Sequence, residues 1–273
     1  MNMIRRHPCF GAEAHQSVGR IHLPVAPRCN IQCAFCERRV CAGQEMQHPG
    51  WAQRLLTPDQ AARRVDELVA TRPAETFVVG VAGPGDPLAN EETFEALARV
   101  HQAHPTLLKC ISTNGLLLEE SLPRLLQVGV TALTVTINAP DGQVGQEIYC
   151  WVRHQGAIYR GPEAAELLIA SQMRGVRAAL EAGLAVKVNA VLIPDVNDAH
   201  MVRLARRLAE LGVLLMNIMP LIPCGRMVDR RAPTCDELRR ARNACEQAVP
   251  QFRSCAQCSA DVVCFPLGSR ATV

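Results

Sequence analysis

Ile21-His-Leu-Pro-Val-Ala-Pro-Arg-Cys29-Asn-Ile-Gln-Cys33-Ala-Phe-Cys36 is an apolar, strand-like run that empties into three closely spaced thiols. The Cx3CxxC spacing, with an aromatic residue before the last cysteine, suits three corners of a [4Fe–4S] cube and leaves the fourth iron open to a substrate. A tetrahedral zinc site asks for four protein ligands and usually pairs of CxxC, so zinc or a purely structural cluster is the weaker alternative.

Outward from this stretch, the pattern of the first run repeats. Apolar, β-rich runs occur at 21–26, 76–81, 107–111, 132–137, 185–193 and 213–219. Amphipathic segments at 58–70, 92–103, 163–182 and 199–211 lie between them. Thr57, Pro58 and Gln60 form a capping-box signature that starts the first of these helices. Strands alternating with helices of this length predict parallel βαβ units. Six units predict an α/β fold: a partial (β/α)6 barrel over 21–222, flanked by cysteine-bearing extensions at 1–20 and 223–273.

The chemically loaded residues fall directly after the strands, where a parallel sheet builds its sites. The cysteine triplet follows the first run, Ala82-Gly83-Pro84-Gly85-Asp86-Pro87 the second, and Ser112-Thr113-Asn114-Gly115 the third. Asn138 ends the fourth, Pro194-Asp-Val-Asn-Asp198 follows the fifth, and Pro220 the sixth. Glycine lets a backbone approach a ligand closely, although such a run by itself is only a tight turn. Asn189, within the fifth run, either points into the barrel or is an ordinary buried amide.

Composition narrows the class. A chain of 273 residues with 48% hydrophobic and 20% charged residues describes a globular enzyme, and a net charge of +3 gives no case for nucleic acid. No run of about 18 apolar residues is present, and residues 1–6 lead into no apolar stretch, so the expectation is a cytoplasmic protein without membrane contact. Thirteen cysteines without a secretory signature point to metal or cluster ligation rather than disulfides. Seven of them lie outside the barrel, from Cys9 to Cys264.

The triplet, the glycine-rich loop and Ser112–Gly115 together resemble the radical S-adenosylmethionine (SAM) superfamily. The resemblance implies Cys29, Cys33 and Cys36 as ligands of a SAM-binding [4Fe–4S] cluster, and reductive cleavage of SAM to a 5′-deoxyadenosyl radical. It implies Gly83, Gly85, Asp86, Ser112, Thr113, Asn114 and Asn189 as SAM-binding positions.

A longer series of blocks is similar to the nitrogenase iron–molybdenum-cofactor biosynthesis family within that superfamily. It comprises His7-Pro-Cys9, Ala14-His15, Gly19-Arg-Ile-His-Leu-Pro-Val-Ala-Pro27, Leu56-Thr-Pro-Asp-Gln60, residues 82–90, Cys110-Ile-Ser-Thr-Asn-Gly115, residues 191–198, Met219-Pro-Leu221 and Cys255-Ala-Gln-Cys258-Ser-Ala-Asp261. This resemblance implies two auxiliary [4Fe–4S] clusters, fused with a SAM-derived carbide and a sulfide into an eight-iron precursor. Cys9, His15, Cys41, Cys255 and Cys258 match the auxiliary ligand positions. A nitrogen ligand such as His15 is chemically sensible, since imidazole binds iron and leaves more readily than thiolate. The implied partners are cluster-delivery proteins, a downstream cofactor carrier or scaffold, and a ferredoxin- or flavodoxin-type reductant.

The bland readings stand beside these. Cys9 or Cys41 alone is an ordinary semi-buried thiol, and His22 inside a strand is a core histidine. Cys110, Cys150, Cys224, Cys235 and Cys245 read as core or surface cysteines, and Cys264 either joins a cluster or does nothing. Where the family carries Asn-Glu-Ser, this chain reads Cys41-Ala-Gly-Gln-Glu45-Met46, with the interval from Cys36 one residue short. Glu45 is the candidate replacement for the catalytic acid. Two other functions fit parts of the pattern: a radical SAM maturase of a peptide or small molecule with relay clusters, and a non-catalytic iron–sulfur scaffold.

Overall fold

Thr57 starts the first crossover helix as its residue types require. Its hydroxyl accepts the Gln60 N–H at 3.2 Å while Gln60 accepts the Thr57 N–H at 2.9 Å. The computed structural model describes residues 6–42, 48–73 and 76–266. A short helix α1 (Ala12–Ser17) enters strand β1 (Gly19–His22), and the cysteine loop carries β2 (Ile31–Cys33) and β3 (Arg39–Val40). After β4 (Trp51–Ala52) come α2 (Pro58–Thr71), β5 (Phe77–Val81), α3 (Glu91–Ala103), β6 (Lys109–Thr113), α4 (Leu118–Gln127) and β7 (Val130–Thr136). The second half runs α5 (Gly142–Gly145), β8 (Tyr149–His154), β9 (Ala157–Tyr159), α6 (Gly161–Glu181), β10 (Ala185–Leu192), α7 (Met201–Glu210), β11 (Met216–Pro220), α8 (Cys235–Glu246) and β12 (Val263–Cys264).

The main sheet has the order β11-β10-β7-β6-β5-β1-β12. Its first six strands pair in parallel, and β12 closes the edge antiparallel to β1. This is the expected six-stranded half-barrel, extended by one strand from the C-terminal segment. Helices cover its outer face, as parallel crossovers demand. Leu168, Ile169 and Val176 of α6 and Leu204 and Leu208 of α7 are fully buried. Each such side chain contributes roughly 1.5–3 kcal/mol relative to exposure.

The first strand ends at His22 rather than running to residue 26. Pro24 has no N–H to give a ladder, although Leu23 still donates to the Gly80 carbonyl at 2.9 Å. Three elements escape the periodicity. Helix α4 contains Pro123, which argues against a helix from sequence. The β8–β9 hairpin turns at Gln155 and Gly156, both at positive φ, where an Asn-Gly pair would have been the legible signal. Helix α8 lies in the segment assigned to an extension, yet packs on α7 and β11.

Candidate active site

The cysteine loop is held from four directions. Ala34 donates to the Ile148 carbonyl at 2.7 Å, and Arg226 donates to Ala34 O at 2.7 Å. The Gln32 amide reaches the carbonyls of Cys33 and Cys36 at 3.0 and 2.9 Å, and Arg38 in turn donates to Gln32 Oε1 at 2.9 Å. Strand β2 pairs with β8, setting Cys33 opposite Tyr149. The three thiols therefore sit on a braced loop, and all three line one cavity of about 290 Å³ at the C-terminal ends of the strands.

Burial pushes the Cys29 thiol up to about 12, with the Asp86 carboxylate adding to the effect. Burial also raises Cys33 and Cys36, the former reinforced by Cys36, Cys29 and Cys150. These thiols are protonated at neutral pH, so a metal that binds them releases protons.

Two further loops are tied to this one. Gly85 donates to Ala26 O at 2.6 Å, and Asp86 donates to Arg28 O at 2.9 Å. Asn90 answers from both ends of its amide, donating to Arg28 O at 2.8 Å and accepting from Arg28 N at 3.1 Å. A Cβ on Gly85 would lie 2.1 Å from Arg28 O, so this approach requires glycine. The buried Asp86 carboxylate accepts Thr113 Oγ1 at 2.9 Å, Asn114 N at 2.6 Å and Leu88 N at 2.9 Å. Asn114 then bridges to Asn30 Oδ1 at 2.6 Å, with the Cys29 sulfur 3.8 Å away. Burial raises the pKa of Asp86 against the pull of these hydrogen bonds.

Strand register decides what else faces the cavity. Residues of one row, Lys187 beside Thr134 and Asn189 beside Thr136, turn inward. Asn189 accepts Asn217 Nδ2 at 3.0 Å, which leaves its own amide N–H groups for the cavity. His22, Gly80 and Cys110 also form a row. A Cβ on Gly80 would stand 2.8 Å from Cys110 Sγ and 3.6 Å from His22 Cδ2, so glycine makes room for both.

Of the positions singled out in sequence, Cys29, Cys33, Cys36, Gly85, Asp86, Ser112, Thr113, Asn114, Asn189, Cys9, Cys255 and Cys258 share this cavity. Gly83 stands behind it, against Ala260. His15 packs near Phe252, with Nδ1 2.9 Å from Pro8 O, and does not line the cavity. Cys41 donates its N–H to Ala52 O outside the wall. Glu45 lies outside the described residues, as does most of the altered 41–46 segment.

The structure adds Cys110, His7, His22 and Lys187 to the wall. Cys110 was legible in part, because it lies two residues before Ser112 on one strand and shares its face. His7 accepts the Cys9 N–H through Nδ1 at 3.1 Å, leaving a buried Nε2 without a hydrogen-bond partner. Burial, then the Lys187 and His22 charges, holds His7 down at about 3, so the ring is neutral; with Nδ1 accepting, its hydrogen sits on Nε2, a buried N–H donor without an acceptor among the described residues.

The donor set fits iron–sulfur chemistry better than a single ion. Among the described residues no three His, Cys, Asp or Glu side chains converge to grip one metal ion. A cluster puts each thiolate on its own iron and so wants its ligands spread around a volume.

The sequence profile of the Radical SAM superfamily matches residues 23–208. The FeMo cofactor biosynthesis protein NifB of Methanocaldococcus jannaschii is 44% identical over 262 residues, covering 96% of this chain and 87% of that protein. NifB of Klebsiella pneumoniae is 42% identical over 264 residues, covering 94% of this chain, which spans 56% of the relative's length. Among solved structures, Streptococcus suis SuiB bound to S-adenosylmethionine superposes with a TM-score of 0.61 at 13% identity, over 89% of this chain and 52% of that one. A radical SAM methyltransferase from Sphaerobacter thermophilus gives 0.51 at 21% identity, over 86% of this chain and 64% of that one. Those two likenesses speak for the fold. The superfamily profile across most of the chain and the identity along almost its whole length place it in the radical SAM superfamily and, within that, in the NifB family.

Proposed function

We propose that this chain is a lyase-type radical SAM enzyme of nitrogenase cofactor biosynthesis. Its substrates would be two [4Fe–4S] clusters, joined with a SAM-derived carbide and a sulfide into an eight-iron precursor. The observation that carries this reading is that Cys9, Cys255 and Cys258 share one cavity with Cys29, Cys33 and Cys36. A single SAM-cleaving site needs only the second set.

The [4Fe–4S] cluster that Cys29, Cys33 and Cys36 would hold supplies reductive cleavage of SAM. The remaining roles belong to the chain. Asp86 locks the loop after β5 to the loop after β6, so the backbone around Gly85 and the side chains of Ser112 and Asn114 present a fixed surface for the SAM amino acid and ribose. Asn189 offers its amide N–H groups from the opposite wall. Val81, Ile111 and Val191 make the wall between them apolar and limit water around a reactive radical. Cys9, Cys255 and Cys258 would hold the substrate clusters, with His15 and Cys41 retained as further ligands and Glu45 as the acid. Delivery proteins would bring the clusters, a carrier or scaffold would take the product, and a ferredoxin or flavodoxin would supply electrons. The proposed setting is the cytoplasm, and among the described residues no helix is long and apolar enough to cross a membrane.

Iron and acid-labile sulfide per chain, counted after anaerobic reconstitution, test this directly. About twelve irons are expected for three four-iron clusters, and about four would withdraw the cofactor-building reading. The reduced protein should also convert SAM to both S-adenosylhomocysteine and 5′-deoxyadenosine. Deoxyadenosine alone from fully loaded protein would instead favour a maturase of another substrate.

A further inference from the structure

Arg20 and Lys187 are buried, with exposures of 7% and 3%, and neither forms an ion pair with a carboxylate among the described residues. Buried cations are normally paired, because an uncompensated charge in the interior is strongly unfavourable. The partners they do have are informative. Arg20 points Nε at Cys258 Sγ at 3.1 Å and Nη2 at Cys264 Sγ at 3.9 Å. Cys264 stands opposite Arg20 in the β1–β12 ladder and so shares its face. Lys187 donates to the Cys9 carbonyl at 2.9 Å and lies over the rings of Phe252 and Phe10 at 5.0 and 5.5 Å.

His15 does not relieve the imbalance. Its Nδ1 is 2.9 Å from Pro8 O and 3.4 Å from Arg20 Nη1, and one nitrogen cannot donate to the first while accepting from the second. The shorter contact wins, and Arg20 Nη1 is left without an acceptor among the described residues. Asp261, an acid in the same C-terminal segment, accepts Gln53 N and Ser259 Oγ instead. Lys187 lines the cavity beside Cys9, and Arg20 stands behind Cys258, itself a cavity residue.

We propose that Arg20 and Lys187 are charge-compensating positioning residues, a buried cationic floor that receives the anionic, thiolate-bound iron–sulfur cluster on the Cys9–Cys258 side of the cavity. The inference rests on the cluster-binding reading above. It adds that the side chains seating this substrate are not only ligands. Each cysteine that binds iron as a thiolate brings a negative charge beside two buried cations that have no carboxylate partner among the described residues. The Arg20 N–H directed at Cys258 supplies a hydrogen bond to the ligating sulfur, which with net charge tunes the potential of such clusters.

The test uses Arg20→Met, Lys187→Met and Arg20→Lys beside wild type. Before reconstitution, the two methionine variants should melt at or above the wild-type temperature, because an uncompensated buried charge has been removed. After reconstitution they should hold about eight irons where wild type holds about twelve, and any third cluster retained should reduce at a more negative potential. Arg20→Lys should regain most of the lost iron. The change in the reduced-cluster EPR spectrum on adding SAM should persist in every variant. Full iron uptake with unchanged potentials in both methionine variants would overturn the inference while leaving the cluster-binding reading intact. Collapse of both variants before reconstitution would make the two cations structural and overturn it as well. Wild type with about four irons would remove the underlying reading itself, a failure seen without any variant.

Discussion

The Asp86 carboxylate, fully enclosed between two loops, accepts the Thr113 hydroxyl through both of its oxygens, at 3.0 and 2.9 Å. Asp86 belongs to the loop after the second parallel strand and Thr113 to the end of the third. The bond therefore sets the spacing of the two loops that flank Cys29. Asp86 acts as a brace, with most of its hydrogen-bonding capacity spent inside the protein.

Asp86→Ala should strip partners from Thr113 Oγ1, Asn114 N and Leu88 N together. A loss of about 3–5 kcal/mol is expected, from buried donors at about 1–3 kcal/mol each. Urea denaturation measures the loss, and SAM titration of reconstituted protein should show weakened binding. Asp86→Asn, which keeps an acceptor oxygen, should lie between Asp86→Ala and wild type in both measurements. Wild-type SAM affinity in Asp86→Ala would show that the two loops keep their spacing without it.

Gly85→Ala should be more damaging than its size suggests. The new methyl would meet backbone atoms of Arg28, its oxygen at 2.1 Å and its carbon at 2.4 Å, and neither is the flexible end of a side chain. A destabilisation of about 3 kcal/mol or more is expected, with the cysteine loop pushed out of line. Thermal melting before reconstitution and iron uptake after it should fall together. Normal melting would mean the loop yields at little cost.

Asn197 is the corresponding brace at the end of β10. Its amide donates to Asn138 O and Val191 O at 2.9 and 2.8 Å and accepts from Ile193 N at 2.7 Å, all in a fully buried setting. Asn197→Ala should cost about 2–4 kcal/mol in chemical denaturation. Amide hydrogen exchange should accelerate first around residues 191–198. Uniform acceleration along the chain would argue that the loop is not a separate unit.

Lys109 gives stability a pH dependence of definite sign. The side chain is wholly buried, its Nζ donates to Leu107 O at 2.7 Å, and burial lowers its pKa from 10.5 to about 8. The unfolded chain therefore holds the proton more tightly than the folded one. The charge penalty is fully present below about pH 8 and disappears as pH rises through 10.5. Relative to Lys109→Met, wild type should gain about 1–3 kcal/mol between pH 8 and 10.5. Comparing the two proteins cancels the titration of the many cysteines. A flat difference across that window would mean Lys109 is hydrated in the folded state.

The order of the parallel strands and the placement of chemically loaded loops at their ends were legible because hydrophobic periodicity and turn residues are local properties. The Cx3CxxC loop, the glycine-rich turn and the capping box at Thr57 could all be read without neighbours. Helix α4, with Pro123 inside it, could not be. Its burial of Leu118, Leu122 and Leu125 against the sheet overrides a local preference, and that energy belongs to the packed state.

What the sequence by itself determined is which residues stand on which loop, and the family that this arrangement identifies. Only the tertiary structure decided which of the thirteen cysteines share a cavity. Cys110 joins Cys29 because strand alternation turns it inward and Gly80 leaves room, whereas Cys41, nearer in sequence, stands outside. Likewise Arg20 and Lys187 are unremarkable basic residues until curling of the sheet buries them without a carboxylate partner among the described residues. Burial and charge balance are properties of a closed volume, and chain order alone does not specify that volume.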